Sequence, residues 1–276
     1  MLELPEANTL AKQLTQVYQG KKVKAAVANA SPHGFAFYYG DPAAYPDRLV
    51  GRRIGKAAAL GGQVELAAED SCLLFHDGAN VRYLDPGQPR PAKHQLLLEL
   101  DDGSALVCTI QMYGGIQAYP NGEMDDSFYY QVAKEKTSPL TDAFDPAYFT
   151  SLAAGLKPAI SVKAFLATEQ RIPGLGNGVL QDILFRAQIH PKRKLSSITD
   201  AEWDALYASV KTTLKEMTQL GGRDTEKDLF GKPGGYPSIL SSKTWKSPCP
   251  VCGGAIVRQA YLGGNVYFCP ICQPLK

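Results

Sequence analysis

The chain has 276 residues, 45% of them apolar and 20% charged, which is an ordinary globular composition with room for one large or two modest domains. No run approaches the roughly 18–20 apolar residues that cross a bilayer. Residues 1–20 lack the basic and then apolar order of a signal peptide, so we expect a cytoplasmic, intracellular protein.

The net charge of +2 conceals an asymmetry between the two halves. Residues 151–276 carry 16 Lys+Arg against 9 Asp+Glu, whereas residues 1–150 carry 13 against 18. A basic C-terminal half that faces a polyanion is one interpretation, and a chance difference between two solvated surfaces is the other.

The first half is predicted to be one helix followed by many strands. Apolar residues at helical spacing predict a helix over 6–18, which ends near Gly20. Short apolar runs separated by turn signals then predict a β-sandwich or barrel. The runs are 23–27, 63–67, 72–75, 95–100 and 105–110, and the turns are placed at 77–78, 85–87 and 101–103. Cys72 and Cys108 lie in two of these runs, where we expect buried thiols.

Beyond Pro139 the pattern becomes helical. Two helical runs, 160–170 and 178–188, are joined by R-I-P-G-L-G-N, whose last residue, Asn177, is predicted to cap the second helix. A further helix begins at the capping box 199–202 and buries a stripe formed by Trp203, Leu206, Val210, Leu214 and Met217. Gly221-Gly222 ends it. Residues 222–247 are polar and rich in Gly, Pro and Ser, and we expect an exposed loop there.

The last 28 residues contain two C-x₂-C motifs separated by 16 residues. The four cysteines, Cys249, Cys252, Cys269 and Cys272, can surround one tetrahedral Zn²⁺, with a β-hairpin between the two motifs. Four thiolates leave no open coordination position, which indicates one structural zinc ion. Two redox motifs are the competing explanation, but such motifs do not normally occur in pairs around a glycine-containing hairpin.

Three separated segments resemble one known family. They are M-L-E-L-P-E-A at the N-terminus, I-P-G-L-G-N-G-V-L-Q-D-I-L-F-R-A-Q-I-H-P at 172–191, and the C-terminal motif that ends in F-C-P-I-C-Q. A weaker match, G-G-R-D-T-E-K-D-L-F-G-K-P-G-G-Y at 221–236, lies between the last two. In this order they resemble the formamidopyrimidine-DNA glycosylase and endonuclease VIII family over nearly the whole chain.

The resemblance implies a multidomain α+β fold with an N-terminal β-sandwich and flanking helices. A C-terminal helix–two-turns–helix domain and a zinc-finger β-hairpin would follow. The boundaries would be 1–125 for the sandwich domain, 140–222 for the helical DNA-binding domain, 223–247 for a loop and 248–276 for the zinc finger. The implied partner is damaged or abasic double-stranded DNA, and the implied state is a monomer.

The resemblance also implies DNA-binding residues. Gly174 and Gly176 would let a loop reach a backbone phosphate, and Asn177 would contact phosphates, unless it serves only as a helix cap. Lys56 matches a family lysine near the damaged nucleotide, although a solvated surface lysine is the alternative. Arg258 in the hairpin is predicted to face phosphate.

The family's nucleophile is the α-amine of an N-terminal proline, exposed after removal of the initiator methionine. Here Leu2 stands in that place, and a bulky second residue normally prevents removal of Met1. The amine of Met1 would then lie one residue too early, a displacement of about 3.8 Å that exceeds catalytic tolerance. Glu3 is expected to handle protons, and Glu6 is a second candidate.

Other departures fall at positions that contact DNA in the family. Ala79 stands where an intercalating methionine is expected, and I-Q-M-Y-G-G at 110–115 replaces D-P-R-R-F-G, with Tyr113 keeping an aromatic ring. Gly264 replaces an arginine that grips phosphate. Fewer phosphate and wedge contacts predict weaker or different DNA binding.

Three functions therefore remain open from the sequence. The first is an active DNA glycosylase, with or without lyase activity, in which Glu3 or Glu6 activates water or the amine of Met1 or Lys56 is the nucleophile. The second is a non-catalytic protein that binds damaged DNA. The third is a zinc-ribbon protein that binds RNA or protein partners.

Overall fold

The computed structural model describes residues 2–123 and 127–276, with residue 77 described through its backbone only. Met1 lies outside the described residues. The helices are α1 (Leu4–Tyr18), α2 (Tyr45–Leu49), α3 (Phe128–Glu135), α4 (Pro146–Ser151), α5 (Val162–Ala167), α6 (Asn177–Arg186) and α7 (Asp200–Gln219). The strands are β1 (Val23–Ala28), β2 (Ala36–Phe37), β3 (Ile54–Leu60), β4 (Gln63–Ala68), β5 (Ser71–Leu84), β6 (Leu96–Leu100), β7 (Ala105–Pro120), β8 (Val257–Tyr261) and β9 (Gly264–Phe268).

The strands of the N-terminal half form one sheet in the order β1-β6-β7-β5-β4-β3, and β2 pairs in parallel with β7. The long strands β5 and β7 pair in antiparallel fashion on both sides of a register shift between Asp77 and Ala79. β4 pairs with β5 before this shift, whereas β6 pairs with the part of β7 opposite the far end of β5. Both halves of the sheet bury side chains in one core, which confirms the predicted β-sandwich.

The turn predicted at 77–78 is wrong, because β5 continues through these residues. The Asp-Gly pair instead lies at the register shift, where a β-bulge bends the pair of strands. A Cβ atom on Gly78 would lie 2.3 Å from the carbonyl oxygen of Tyr113 in β7. Glycine is therefore required here for close approach of two backbones and not for a chain reversal.

Helix α1 joins this sandwich to the second half of the molecule. Leu10, Leu14 and Tyr18 are buried in the sandwich core, which confirms the predicted amphipathic helix. The helix begins earlier than predicted, at Leu4, with Pro5 in the first turn, where a missing backbone N–H costs nothing.

The C-terminal half has its own core, formed mainly by α4, α5, α6 and α7. The predicted stripe of α7 is confirmed: Trp203 is partly buried against this core. The other four members are fully buried, namely Leu206, Val210, Leu214 and Met217. Thr199 and Glu202 form the predicted capping box. The predicted helices over 160–170 and 178–188 are present as the shorter α5 and α6.

The loop predicted over 222–247 is confirmed in that it contains no helix or strand, but it is not exposed throughout. Four of its side chains are at most 4% exposed, namely Arg223, Leu229, Tyr236 and Leu240. Gln13 of α1 donates to Asp228 Oδ2 at 2.9 Å and accepts from the backbone N–H of Leu229 at 3.0 Å. The backbone N–H of Tyr83 in β5 also donates to Leu229. We call residues 222–236 the bridging segment, since they contact both halves.

The last two strands, β8 and β9, form the predicted antiparallel hairpin and pack against α6. Over the described residues, no helix has the length and apolar character that a membrane span requires.

Candidate nucleic-acid site and metal centre

The carboxylate of Glu3 lies at the N-terminal end of α6. Its Oε1 accepts a hydrogen bond from the backbone N–H of Gly178 at 2.8 Å, and its Oε2 accepts one from Val179 at 2.7 Å. The N-cap residue is Gly176, and the side chain of Asn177 makes no capping bond, so the predicted cap is wrong. A helix N-terminus offers unpaired N–H groups and a positive dipole end, and here a carboxylate from a distant segment satisfies both.

Arg223 of the bridging segment connects Glu3 with Glu6. Its backbone N–H and its Nε each lie 3.0 Å from Glu6 Oε1, and its Nη2 lies 2.9 Å from Glu6 Oε2. Its Nη1 lies 3.5 Å from Glu3 Oε2. All three side chains are less than a tenth exposed, so one guanidinium is buried between two carboxylates.

The charges in this cluster act on one another because water is excluded. Burial raises the pKa of the Glu3 carboxyl, Arg223 opposes that shift, and Glu6 adds to it. Burial by itself would lower the pKa of the Arg223 guanidinium, but the two carboxylates raise it above its ordinary value. Since both oxygens of Glu3 accept hydrogen bonds from backbone N–H groups, the geometry favours an ionised Glu3.

A pocket opens beside this cluster between the two halves of the molecule. It has a volume of about 450 Å³, counted to its open mouth. Leu2 and Glu6 line it from the N-terminal segment, Ala79 and Arg82 from β5, and Arg223 from the bridging segment. The structure therefore brings Leu2, Glu6 and Ala79 to one pocket.

Two of the predicted phosphate-binding glycines are in close contact with the protein itself. A Cβ atom on Gly174, whose φ is +80°, would lie 2.4 Å from the carbonyl carbon of Gly61 in the β3–β4 turn. A Cβ atom on Gly176 would lie 2.5 Å from Glu3 Oε1. The carbonyl oxygen of Gly174 also accepts a hydrogen bond from the backbone N–H of Leu4 at 2.9 Å. These contacts bring the loop before α6 against the start of α1.

Asn177 contacts the hairpin. Its Nδ2 donates to the carbonyl oxygen of Asn265 in β9 at 2.9 Å, and the side chain of Gln181 donates to the same oxygen at 3.1 Å. Arg258, which is exposed on β8, donates from Nε to the side-chain oxygen of Asn265 at 3.3 Å. A Cβ atom on Gly264 would lie 3.1 Å from Asn177 Nδ2, so this position closes directly over Asn177.

Lys56 stands apart from these groups. It is exposed on β3, while the next residue, Ala57, donates its backbone N–H to Thr15 of α1 at 2.8 Å. Within residues 2–123 and 127–276, no hydrogen bond or ion pair joins Lys56 to the predicted site residues.

The four predicted metal ligands come together. The sulfur atoms of Cys249, Cys252, Cys269 and Cys272 all lie within 4.8 Å of one another. The closest pairs are Cys252–Cys269 at 3.4 Å and Cys249–Cys272 at 3.7 Å. Tetrahedral thiolates about 2.3 Å from a zinc ion would be about 3.8 Å apart, so the four residues fit such an ion. This cluster can bind a metal.

Sequence reasoning missed the role of Arg223. Glu3 and Glu6 stand one helical turn apart, which indicates that one cation can serve both. The sequence does not show which cation this is, because Arg223 is 217 residues away from Glu6 and is followed by an aspartate, as a surface arginine often is. Gly178 was also missed: a Cβ atom there would lie 1.5 Å from Arg223 Nη1.

Comparison with known proteins gives consistent results. The family model described as the formamidopyrimidine-DNA glycosylase H2TH domain matches residues 136–228. The formamidopyrimidine-DNA glycosylase of Symbiobacterium thermophilum is 29% identical over 282 residues, which cover 100% of this chain and 90% of that protein.

Two solved structures are similar along the whole chain. The MutM (Fpg) protein of Thermus thermophilus superposes with a TM-score of 0.80 at 26% identity and covers 98% of both chains. The Lactococcus lactis Fpg, solved in complex with DNA that contains an abasic site, has a TM-score of 0.81 and covers 99% of both chains. At 23% identity the second similarity shows the fold alone.

Proposed function

We propose that the chain belongs to the formamidopyrimidine-DNA glycosylase family and that it acts as a DNA glycosylase on damaged or abasic double-stranded DNA. The damaged nucleotide would enter the pocket between the two halves. The observation that carries this proposal is that Leu2 and Glu6 line this pocket together with Arg223, whose guanidinium also faces Glu3 at the N-terminus of α6.

The roles proposed for the other residues follow from their positions. The loop at Gly174 and Gly176 and the hairpin residue Arg258 would lie along the DNA backbone, where Arg258 is exposed and able to contact phosphate. Lys56 is exposed on β3 and would contact a more distant phosphate. Asn177 already donates to the hairpin, so in the absence of DNA its main contact is with the protein.

Glu3 and Glu6 are proposed to act on protons or charge during base removal. A carboxylate in the pocket wall stabilises positive charge that develops on the sugar as the base leaves. The family's covalent step requires the N-terminal proline, and Leu2 replaces it. We therefore assign base release by water to this chain and do not assign it the proline-dependent lyase step.

A second candidate function is damaged-DNA binding without catalysis. Leu2 favours it, and so does Gly264, which stands where the family's phosphate-gripping arginine is expected and covers Asn177. Both changes remove groups that act on DNA while the fold is kept.

We further propose that the cluster of four cysteines binds one structural Zn²⁺ ion. The ion would hold the hairpin against α6, since the small core beneath the cysteines includes Phe185 of that helix. Removing the metal with a chelator should loosen the hairpin, and DNA affinity should fall at the same time. Metal content by mass spectrometry of the intact protein tests the identity of the ion.

The decisive experiment is a gel-shift with duplex DNA that contains an abasic site, run beside base-release and borohydride-trapping assays on the same protein. Lesion-selective binding with base release that is lost in Glu3→Gln supports the glycosylase. Lesion-selective binding without base release supports the second candidate. A trapped adduct would show that an amine replaces the proline. Neither binding nor release, with tight binding to structured RNA, would overturn the proposal.

A further inference from the structure

We propose that Arg223 is a positioning residue of this site: it holds the carboxylates of Glu3 and Glu6 side by side, which leaves one net negative charge in the buried cluster beside the pocket. The inference rests on the proposed function, because the pocket is where the damaged nucleotide would bind. Arg223 itself is assigned no contact with DNA and acts through the two carboxylates.

The geometry of Arg223 shows how both carboxylates are fixed. Three of its N–H groups, including the backbone one, are directed at the two oxygens of Glu6, in the paired arrangement that a planar guanidinium makes with a carboxylate. Its remaining terminal nitrogen lies 3.5 Å from Glu3, whose oxygens are already held by α6. A lysine ammonium would supply the same charge, but it could not make the paired hydrogen bonds that the planar guanidinium makes with a carboxylate.

The sequence of α6 provides space for this guanidinium. Gly178 has no side chain where Arg223 Nη1 lies, and a Cβ atom there would be 1.5 Å away. The arginine therefore packs directly on the backbone of the first turn of α6, beside the N–H groups that bind Glu3. The lack of a side chain at position 178 therefore matches the space that the guanidinium of Arg223 occupies.

The net charge beside the pocket follows from the residues of the buried cluster. Two carboxylates and one guanidinium leave one net negative charge in a buried cluster. Among the residues that the structure describes, the other charged groups that line the pocket belong to the bridging segment and β5, and they are Glu226, Lys227, Asp228 and Arg82. These four balance each other in sign, so the excess comes from the Glu3–Arg223–Glu6 cluster.

The excess charge has two consequences for a bound nucleotide. It repels phosphate, so the backbone stays at the mouth while the uncharged base or sugar enters. It also attracts positive charge that develops on the sugar when the base departs. Without Arg223, two buried carboxylates would face each other, and one of them would take up a proton near neutral pH.

The test compares wild type, Arg223→Gln, Arg223→Lys and the double variant Arg223→Gln/Glu6→Gln. Affinity for duplex DNA with a stable abasic-site analogue is measured from about pH 5.5 to 8.5 at constant salt, together with the thermal midpoint of each protein without DNA. Arg223→Gln should bind roughly tenfold more weakly at the alkaline end than at the acidic end, which corresponds to a shift of about one pKa unit. The DNA affinity of the other three proteins should not change across this pH range.

The thermal midpoints provide a second readout that does not depend on DNA. A carboxyl whose pKa is raised in the folded state stabilises the fold at low pH and loses that contribution as pH rises through the folded-state pKa. The midpoint of Arg223→Gln should therefore fall as pH rises, and Glu6→Gln in the same chain should remove this dependence.

The outcomes separate the two proposals. The proposed role of Arg223 would be overturned if neither the DNA affinity nor the thermal midpoint of Arg223→Gln changed with pH. A pH dependence that persisted in the double variant would also overturn it. If Arg223→Gln does not fold, Arg223→Lys and the double variant still decide, because a steep profile in either one contradicts the inference. If no protein binds abasic DNA but the thermal slopes are as expected, the proposed function fails and the assignment of Arg223 to the charge cluster stands.

Discussion

Among the described residues, Arg193 and Arg223 are the arginines with the least exposed side chains, at 2% and 4%, and both are paired with glutamates. Arg193 is paired with a single carboxylate, Glu202, through both terminal nitrogens at 2.5 and 2.9 Å, and it also donates to Ser197. Arg223 is shared by two carboxylates. The buried pair of Arg193 and Glu202 has no net charge, whereas the buried cluster of Glu3, Arg223 and Glu6 has one excess negative charge.

The two clusters also differ in what they hold. Glu202 is the acidic residue of the capping box of α7, so Arg193 completes a local structure at a helix start. Arg223 and its two partners come from opposite ends of the chain, and both Arg223 and Glu6 line a pocket. Buried ion pairs contribute little net stability on average, because desolvation offsets attraction. A buried cluster with excess charge at a pocket is better explained by function than by stability.

The largest expected effect comes from removing a partner of Arg223. Glu6→Ala leaves a buried guanidinium and a backbone N–H without their acceptor, and we expect a loss of about 3–5 kcal/mol in the free energy of unfolding. Urea unfolding of the whole chain measures it. The control is Glu216→Ala, which removes an exposed partner of Arg186 and should cost no more than about 1 kcal/mol. Equal losses in the two variants would contradict the comparison.

The next effect concerns the neutral cluster and its pH dependence. The guanidinium of Arg193 lowers the pKa of Glu202 to about 2. A depressed carboxyl pKa contributes stability that is complete above about pH 5 and is lost as pH falls toward 2. Glu202→Gln should therefore lower the free energy of unfolding by about 2 kcal/mol at neutral pH and flatten its acid dependence.

Affinity for abasic DNA should not change in Glu202→Gln, whereas it should fall in Glu6→Ala measured under conditions where that variant is folded. A loss of affinity in Glu202→Gln equal to that of Glu6→Ala would mean that both clusters act only through stability.

The same contrast separates what the sequence predicted from what it did not. The capping box at Thr199 and Glu202 could be predicted because both residues lie within one helical turn. The hairpin and its four ligands could be predicted from cysteine spacing, and the sandwich from alternating runs and turns. These are local signals, and each one is confirmed as a structural feature.

The predictions that were wrong all depended on contacts between distant residues. Asn177 has the right side chain for a cap, but Glu3, 174 positions earlier, takes the N–H groups of α6. Residues 222–247 have the composition of an exposed loop, yet part of the segment, including Arg223 and Leu229, is buried because α1 and β5 supply partners. The Asp-Gly pair at 77–78 is a turn signal in isolation, but the long pairing of β5 with β7 converts it into a bulge.

A smaller effect tests the match between positions 178 and 223. Replacing glycine by alanine inside a helix normally stabilises it by about 1 kcal/mol. Gly178→Ala should instead destabilise the protein by about 1–3 kcal/mol, since the new methyl group displaces the Arg223 guanidinium. Urea unfolding measures whether the free energy of unfolding rises or falls in Gly178→Ala, and a fall supports a fixed position of Arg223. A stabilised variant would show that Arg223 moves without cost and that its position is not fixed.

The smallest expected effect is at the link between α6 and the hairpin. Asn177→Ala removes one hydrogen bond to Asn265, while Gln181 still donates to the same carbonyl oxygen, so the loss should be about 0.5–1.5 kcal/mol. Hydrogen exchange should increase in β9 and remain unchanged in the sandwich core.

The matched control for Asn177 is Gln181→Ala, which removes both the second donor to Asn265 and the acceptor for the backbone N–H of Tyr267. It should loosen β9 more than Asn177→Ala does, because a buried N–H is left without a partner. If Asn177→Ala weakens binding to abasic DNA while β9 exchanges as in wild type, the amide acts on DNA directly. If affinity falls only in proportion to the loosening of β9, Asn177 acts by holding the hairpin that carries Arg258.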